Sequence, residues 1–139
     1  MRLLGYVTSR EFQGFNIPVP AQNSCLREYA NSNNLIYVLP PLEHYFENCY
    51  MQLFTVIESL IEGDIIGMYS VAMLPKNFSK LNKIFDAVEK KKCSFYFILE
   101  SKKIYNLNQA KSIMFSYLLK NSFDNMFQID LYTLRKLIK

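Results

Sequence analysis

The order of apolar runs in this sequence predicts an α/β domain, with one sheet of about four parallel strands in the order 2-1-3-4 and helices on both faces. Continuous apolar runs at residues 2–8, 35–39, 64–69 and 93–99 have the length and content of strands buried on both sides. The stretches between them repeat their apolar residues at helical spacing. A single helix between successive strands implies right-handed crossovers, and therefore parallel pairing.

Arg2 to Thr8 supplies the first strand, with Leu3, Leu4, Tyr6 and Val7. Loop 9–21 follows, in which Gly14, Pro18 and Pro20 favour extended chain over helix. A helix over 21–31 places Cys25, Leu26, Tyr29 and Ala30 on one face, and Asn31-Ser32-Asn33-Asn34 ends it. The second strand, Leu35 to Leu39, stops at Pro40-Pro41, and Glu43, His44, Glu47 and Asn48 follow in a polar connection or a first helical turn. Leu53, Val56, Ile57, Leu60 and Ile61 mark the next helix, closed by Gly63. Asp64 to Tyr69 is the third strand. Asn77 is a suitable N-cap for a helix presenting Phe78, Leu81, Ile84, Phe85 and Val88. Cys93 to Leu99 is the fourth strand. Two helix faces remain, Leu107 to Leu118 and Phe127 to Ile138, with no strand of comparable strength between them.

The chain thus reads as a single domain, 1–139, with a sheet core in 1–101 and terminal helices in 102–139. Half of its 139 residues are hydrophobic, a composition that excludes disorder and suffices for a sizeable core. Cys25, Cys49 and Cys93 are odd in number and form no C-x-x-C pair, and His44 is the only histidine, so neither disulfides nor a metal site is expected. Arg2-Leu3-Leu4-Gly5 is too short for a secretory core, and Glu58, Glu62 and Asp64 interrupt the richest apolar region. A cytoplasmic protein without membrane insertion is expected. An aromatic content of 15% in so small a domain predicts a homo-oligomer, with Phe115, Phe123, Phe127 and Tyr132 as the dimer surface.

Charge divides unevenly. Residues 1–70 hold three arginines against seven acids, a net of −4; residues 71–139 hold thirteen bases against five acids, a net of +8. A basic face for phosphate or nucleic acid is one consequence; solvated lysines at helix ends are the simpler one, and nucleic acid is not the expected partner.

No G-x-x-x-x-G-K-[ST], G-x-G-x-x-G or G-x-S-x-G is present, which removes the common nucleotide, dinucleotide and serine-hydrolase arrangements, and no cofactor is expected. Polar residues instead collect where strands end. Ser9 and Arg10 follow the first strand, Glu43 and His44 the second, Tyr69 and Ser70 the third, and Glu100 the fourth. In a parallel sheet these meet at one rim, where open α/β sheets bind ligands. Gln22 and Asn23 open the first helix with Arg27 one turn on, so Arg10 and that helix terminus suit a carboxylate or phosphate. Ser9, Arg10, Glu43, Tyr69, Ser70 and Glu100 are the catalytic candidates, and Gln22, Asn23, Arg27, His44 and Asn48 the substrate-binding ones. Each also has an ordinary reading, as a turn hydroxyl, a surface ion pair or a helix-end carboxylate.

Two resemblances attach to these residues. Gly5-Tyr6-Val7-Thr8-Ser9, Gln22, Leu26-Arg27-Glu28-Tyr29-Ala30 and Glu62-Gly63-Asp64-Ile65-Ile66 resemble the catalytic domain of serine recombinases, which implies a resolvase- or flavodoxin-like fold. The chain departs from that pattern at Thr8, where an arginine is usual, and over Tyr69–Pro75, where two arginines are missing. A closer resemblance, over about residues 4–101, is to the small "sporadic carbohydrate cluster" proteins. It rests on Gly5-Tyr6-Val7-Thr8-Ser9-Arg10, Gln22-Asn23, Arg27-Glu28-Tyr29, Glu43, Asn48, Tyr50, Tyr69-Ser70, Leu74-Pro75 and Glu100, with departures at Glu11 and Pro40-Pro41. It implies a place in surface polysaccharide or lipopolysaccharide biosynthesis. The expected partner is then an anionic sugar, sugar phosphate or sugar-nucleotide, handled by a small enzyme of unspecified reaction. A non-catalytic partner of a glycan-biosynthesis enzyme is the alternative, and a degenerate recombinase-like domain the remote one.

Overall fold

Strands and helices alternate as the periodicity requires. The computed structural model describes residues 1–11, 16–41, 43 and 49–116. Among them the chain runs β1 (Arg2–Gly5), α1 (Val19–Ser32), β2 (Ile36–Val38), α2 (Met51–Glu58), β3 (Ile65–Met68), a 3-10 turn (Val71–Met73), α3 (Phe78–Lys90), β4 (Ser94–Phe97) and β5 (Lys102–Ile104). A helical stretch over 107–116, here α4, completes it. His44, Asn48, the helix expected at 127–138, and Phe123, Phe127 and Tyr132 lie outside the described residues.

One sheet of order β2-β1-β3-β4-β5 forms, with β1 to β4 parallel, in agreement with the expected order. Alternate residues of each strand feed opposite layers. Leu4, Tyr6, Ile66, Met68, Phe95 and Phe97 join the larger core under α2, α3 and α4. Leu3, Val7 and Ile65 meet Leu26 and Ala30 of α1 on the other face. Gly5 and Gly67 are register partners on the α1 side. A Cβ on Gly67 would come within 2.7 Å of Leu26 Cδ2, and one on Gly5 within 2.7 Å of the Tyr37 hydroxyl. Two side-chain-free positions thus let α1 and Tyr37 approach the sheet.

Four local features differ from the sequence expectation. β5 pairs antiparallel with β4, where only helices were expected. Its two lysines are exposed and only Ile104 is buried, so no alternation of apolar residues betrays it, and the charges protect the sheet edge. α1 begins at Val19 rather than Ala21, because Pro18 caps it and Pro20, whose fixed φ suits a first turn, is tolerated there. α2 ends at Glu58, before Ile61, whose N–H is taken by the Asp64 carboxylate at 2.9 Å and whose side chain is exposed. Regular strand geometry in β1 also ends earlier than Thr8, although the Tyr6 N–H still pairs with the Gly67 carbonyl at 2.9 Å.

At the N-terminal edge of the sheet, Arg2 is paired with buried Asp64. At the other edge, α3 starts from Asn77, whose side chain accepts from the N–H groups of Ser79 and Lys80, as its position suggested.

Candidate active site at the strand ends

Beyond β1 the chain turns sharply, and buried Gln22 of α1 holds the turn. Its amide nitrogen donates to the carbonyls of Thr8 and Ile17, both at 2.8 Å, and its oxygen accepts the Thr8 N–H at 3.3 Å. With the Gln22 amide committed to main chain, its role is to fix the strand end. Ser9 stands next to it, partly exposed. The Thr8 hydroxyl in turn accepts from the Arg10 N–H and from Arg10 Nε, both at 3.2 Å, which bends the guanidinium back over the rim.

Arg10 then enters a network on the α2/α3 side of the sheet. Its Nη2 donates to the Tyr6 hydroxyl at 3.3 Å, and the Tyr6 hydroxyl donates to Glu43 Oε2 at 2.8 Å. Glu43 is buried, and its carboxylate also accepts from the N–H groups of Gln52 (3.1 Å) and Leu53 (3.3 Å) in the first turn of α2. An acid placed there offsets the positive end of the helix and satisfies its orphan donors. Burial, reinforced by the Glu43 hydrogen bond, drives the Tyr6 pKa well above 10.0, so Tyr6 keeps its proton. The Arg10 guanidinium lies 4.5 Å from the centre of the Tyr50 ring, and Lys80 Nζ from α3 lies 5.5 Å from the same ring centre. Burial also raises the Tyr50 pKa, against the opposing pull of Arg10.

A second polar group joins the ends of β3 and β4. Ser70, buried, donates to Glu100 Oε1 at 2.9 Å; the Val71 N–H donates to the same oxygen at 2.7 Å, and the Ala72 N–H to Ser70 Oγ at 3.2 Å. These bonds hold the 3-10 turn across the strand ends. Glu100 Oε2 is buried with no hydrogen-bond partner. Tyr69 is partly exposed beside them.

Asn23 and Arg27 belong elsewhere. The Tyr37 hydroxyl donates to Asn23 Oδ1, and the Arg27 guanidinium lies 5.9 Å from the Tyr37 ring centre. This group sits over Gly5, on the α1 face, whereas Tyr6 and Glu43 occupy the opposite face. Burial pushes the Tyr37 phenol up to about 12, with Arg27 opposing it. The expected rim therefore divides into an Arg10–Glu43 group, a Ser70–Glu100 group and an Asn23–Arg27 group.

Tyr6, Thr8, Tyr50 and Lys80 were not among the candidates drawn from strand-end chemistry, though all four contact Arg10 or share its ring. One signal was available: a tyrosine in a core strand needs a partner for its hydroxyl. Nothing in the sequence marks Lys80 among its neighbours. No group of three or more His, Cys, Asp or Glu that could hold a metal occurs among the described residues, and no described helix is long and apolar enough to cross a membrane.

The architecture is that of the resolvase-type α/β domain. A resolvase family site-specific recombinase from Streptococcus pneumoniae superposes with a TM-score of 0.58 at 9% identity, over 100% of this chain and 99% of that one. The N-terminal catalytic domain of TP901-1 integrase superposes with a TM-score of 0.55 at 15% identity, over 91% and 98%. At such identities the likeness establishes the fold. The chain matches no protein-family model and no curated protein. The recombinase resemblance therefore holds at the level of fold, and the comparisons give the carbohydrate-cluster resemblance no support.

Proposed function

We propose that this chain is a small enzyme of surface-glycan biosynthesis that acts on an anionic sugar derivative at the C-terminal rim of its sheet. The observation that carries the proposal is the preorganised Arg10 guanidinium, oriented by Thr8 and Tyr6 and lying against Tyr50 beside partly exposed Ser9. Arg10 binds the anionic group, and Ser9 and Tyr69 hold sugar hydroxyls. Ser70 and Glu100 supply the proton-handling pair at the neighbouring strand ends. Glu43, tied to α2 and Tyr6, acts by fixing Arg10. Further support comes from the sequence resemblance: Tyr6, Thr8, Arg10, Gln22, Glu43, Tyr50, Ser70 and Glu100 are shared with the carbohydrate-cluster pattern, and they are the residues of these polar networks.

The fold favours a second reading, action on DNA, because the two superposing structures described above are named as a recombinase and an integrase. A thermal-shift screen separates the two. Nucleotide sugars, sugar phosphates and acidic sugars form one panel, and short DNA duplexes the other. A true ligand at 100 times its Kd adds about 2.7 kcal/mol of stability. Stabilisation by a sugar panel member, lost in Arg10→Lys, supports the proposal. Stabilisation by duplex alone transfers the function to DNA, and no response to either panel favours a non-catalytic partner of a glycan enzyme.

A further inference from the structure

We infer that Arg10 and Lys80, gathered on the Tyr50 ring, form a phosphate-binding subsite, so that the substrate is a phosphomonoester rather than a plain acidic sugar. This deepens the anionic-sugar proposal and rests on it. The two cations come from different elements, one from the turn after β1 and one from the first turn of α3. They lie 4.5 and 5.5 Å from a single ring centre, hence at most about 10 Å apart. The ring attracts each cation and gives the two a common neighbour. A carboxylate carries a single charge, which the Arg10 guanidinium alone balances. A phosphate dianion has a third oxygen and a second charge, which match the compact ammonium of Lys80.

The helix ends sharpen the contrast. At α2 the acidic Glu43 takes the N–H groups of Gln52 and Leu53 and cancels the local positive potential. At α3 the cap is neutral Asn77, and the first turn holds no acidic residue, so its positive end adds to Lys80.

Calorimetric titration of the intact protein with inorganic phosphate, a hexose 1-phosphate, glucuronate and a short DNA duplex tests the subsite. Phosphate and the hexose phosphate should bind. Lys80→Gln should weaken both by roughly tenfold, as loss of one charged contact implies, while changing glucuronate affinity less than about twofold. Tyr50→Phe, which keeps the ring, should retain phosphate affinity, and Tyr50→Leu should lose it. Lys80 is only partly buried, so its replacement leaves the fold readable if Tyr50→Leu does not. Unchanged phosphate affinity in Lys80→Gln overturns the subsite. Glucuronate binding without phosphate binding overturns it too, while leaving the anionic-sugar proposal standing. Duplex binding through Lys80 without hexose phosphate binding overturns both.

Discussion

Replacing Tyr6 with phenylalanine removes one oxygen and tests the centre of the strand-end network. Tyr6 is fully buried, and its hydroxyl joins Arg10 to Glu43. The ring and its packing against Leu4, Met68 and their neighbours survive the change, so no cavity term of consequence arises. What is lost is a hydrogen bond to a charged acceptor, worth about 1.5–3 kcal/mol. Glu43 keeps the Gln52 and Leu53 N–H donors, and Arg10 keeps the Thr8 hydroxyl, so neither charge is orphaned. The lower half of that range applies, about 2 kcal/mol, which for a domain of this size lowers the melting temperature by roughly 6–8 °C. The pH dependence gives a second reading of the same group. The Tyr6 pKa is raised in the folded state, so its contribution is intact below pH 10.0 and is lost as the pH climbs above that value, where the unfolded chain ionises. Tyr37, raised to about 12, contributes in the same sense. Thermal melts of wild type and Tyr6→Phe should therefore differ most near neutrality and converge in strong alkali. A Tyr6→Phe protein that melts within about 1 °C of wild type at pH 7 would refute the idea that this hydroxyl joins two charges.

Asp64 accepts from Arg2 and the Ile61 N–H; burial pushes its pKa up, but these contacts outweigh burial and hold it below 3.8. Its contribution is present above that pH and lost as the pH falls below it, so Asp64→Asn, which weakens charged hydrogen bonds to a partly exposed Arg2, should cost about 2 kcal/mol in urea unfolding at pH 7 and distinctly less at pH 3. Asn77→Ala removes the acceptor for two N–H groups of α3 and should lower stability by about 1 kcal/mol, measured by the same unfolding curves. Gly67→Ala forces a Cβ against Leu26 and Leu3 and should cost about 1–3 kcal/mol; a neutral result would show that α1 can slide on the sheet.

Much of the fold is a consequence of local pattern. Runs such as Leu3-Leu4 and Ile65-Ile66 must be buried on both faces, and one helix between each pair leaves little choice but parallel crossovers in the order found. Asn77 as a cap was likewise visible, because capping depends on residues two and three positions away. The short edge strand β5 was not, since its lysines face water and its pairing with β4 supplies what its composition lacks. The candidate site lies between these cases. The sequence placed Ser9, Arg10, Ser70 and Glu100 at strand ends, but which face each would serve depends on packing. Asn23 and Arg27 fell to Tyr37 on the α1 face, while Arg10 folded back toward Tyr6 and Glu43 on the other. Tyr6, Glu43, Tyr50 and Lys80 are scattered between positions 6 and 80 of the chain, and no periodicity couples them. Only the tertiary structure decides that the Tyr6 hydroxyl, buried just past β1, meets the carboxylate after β2, because a buried polar atom takes whichever partner the crossovers bring within hydrogen-bonding distance.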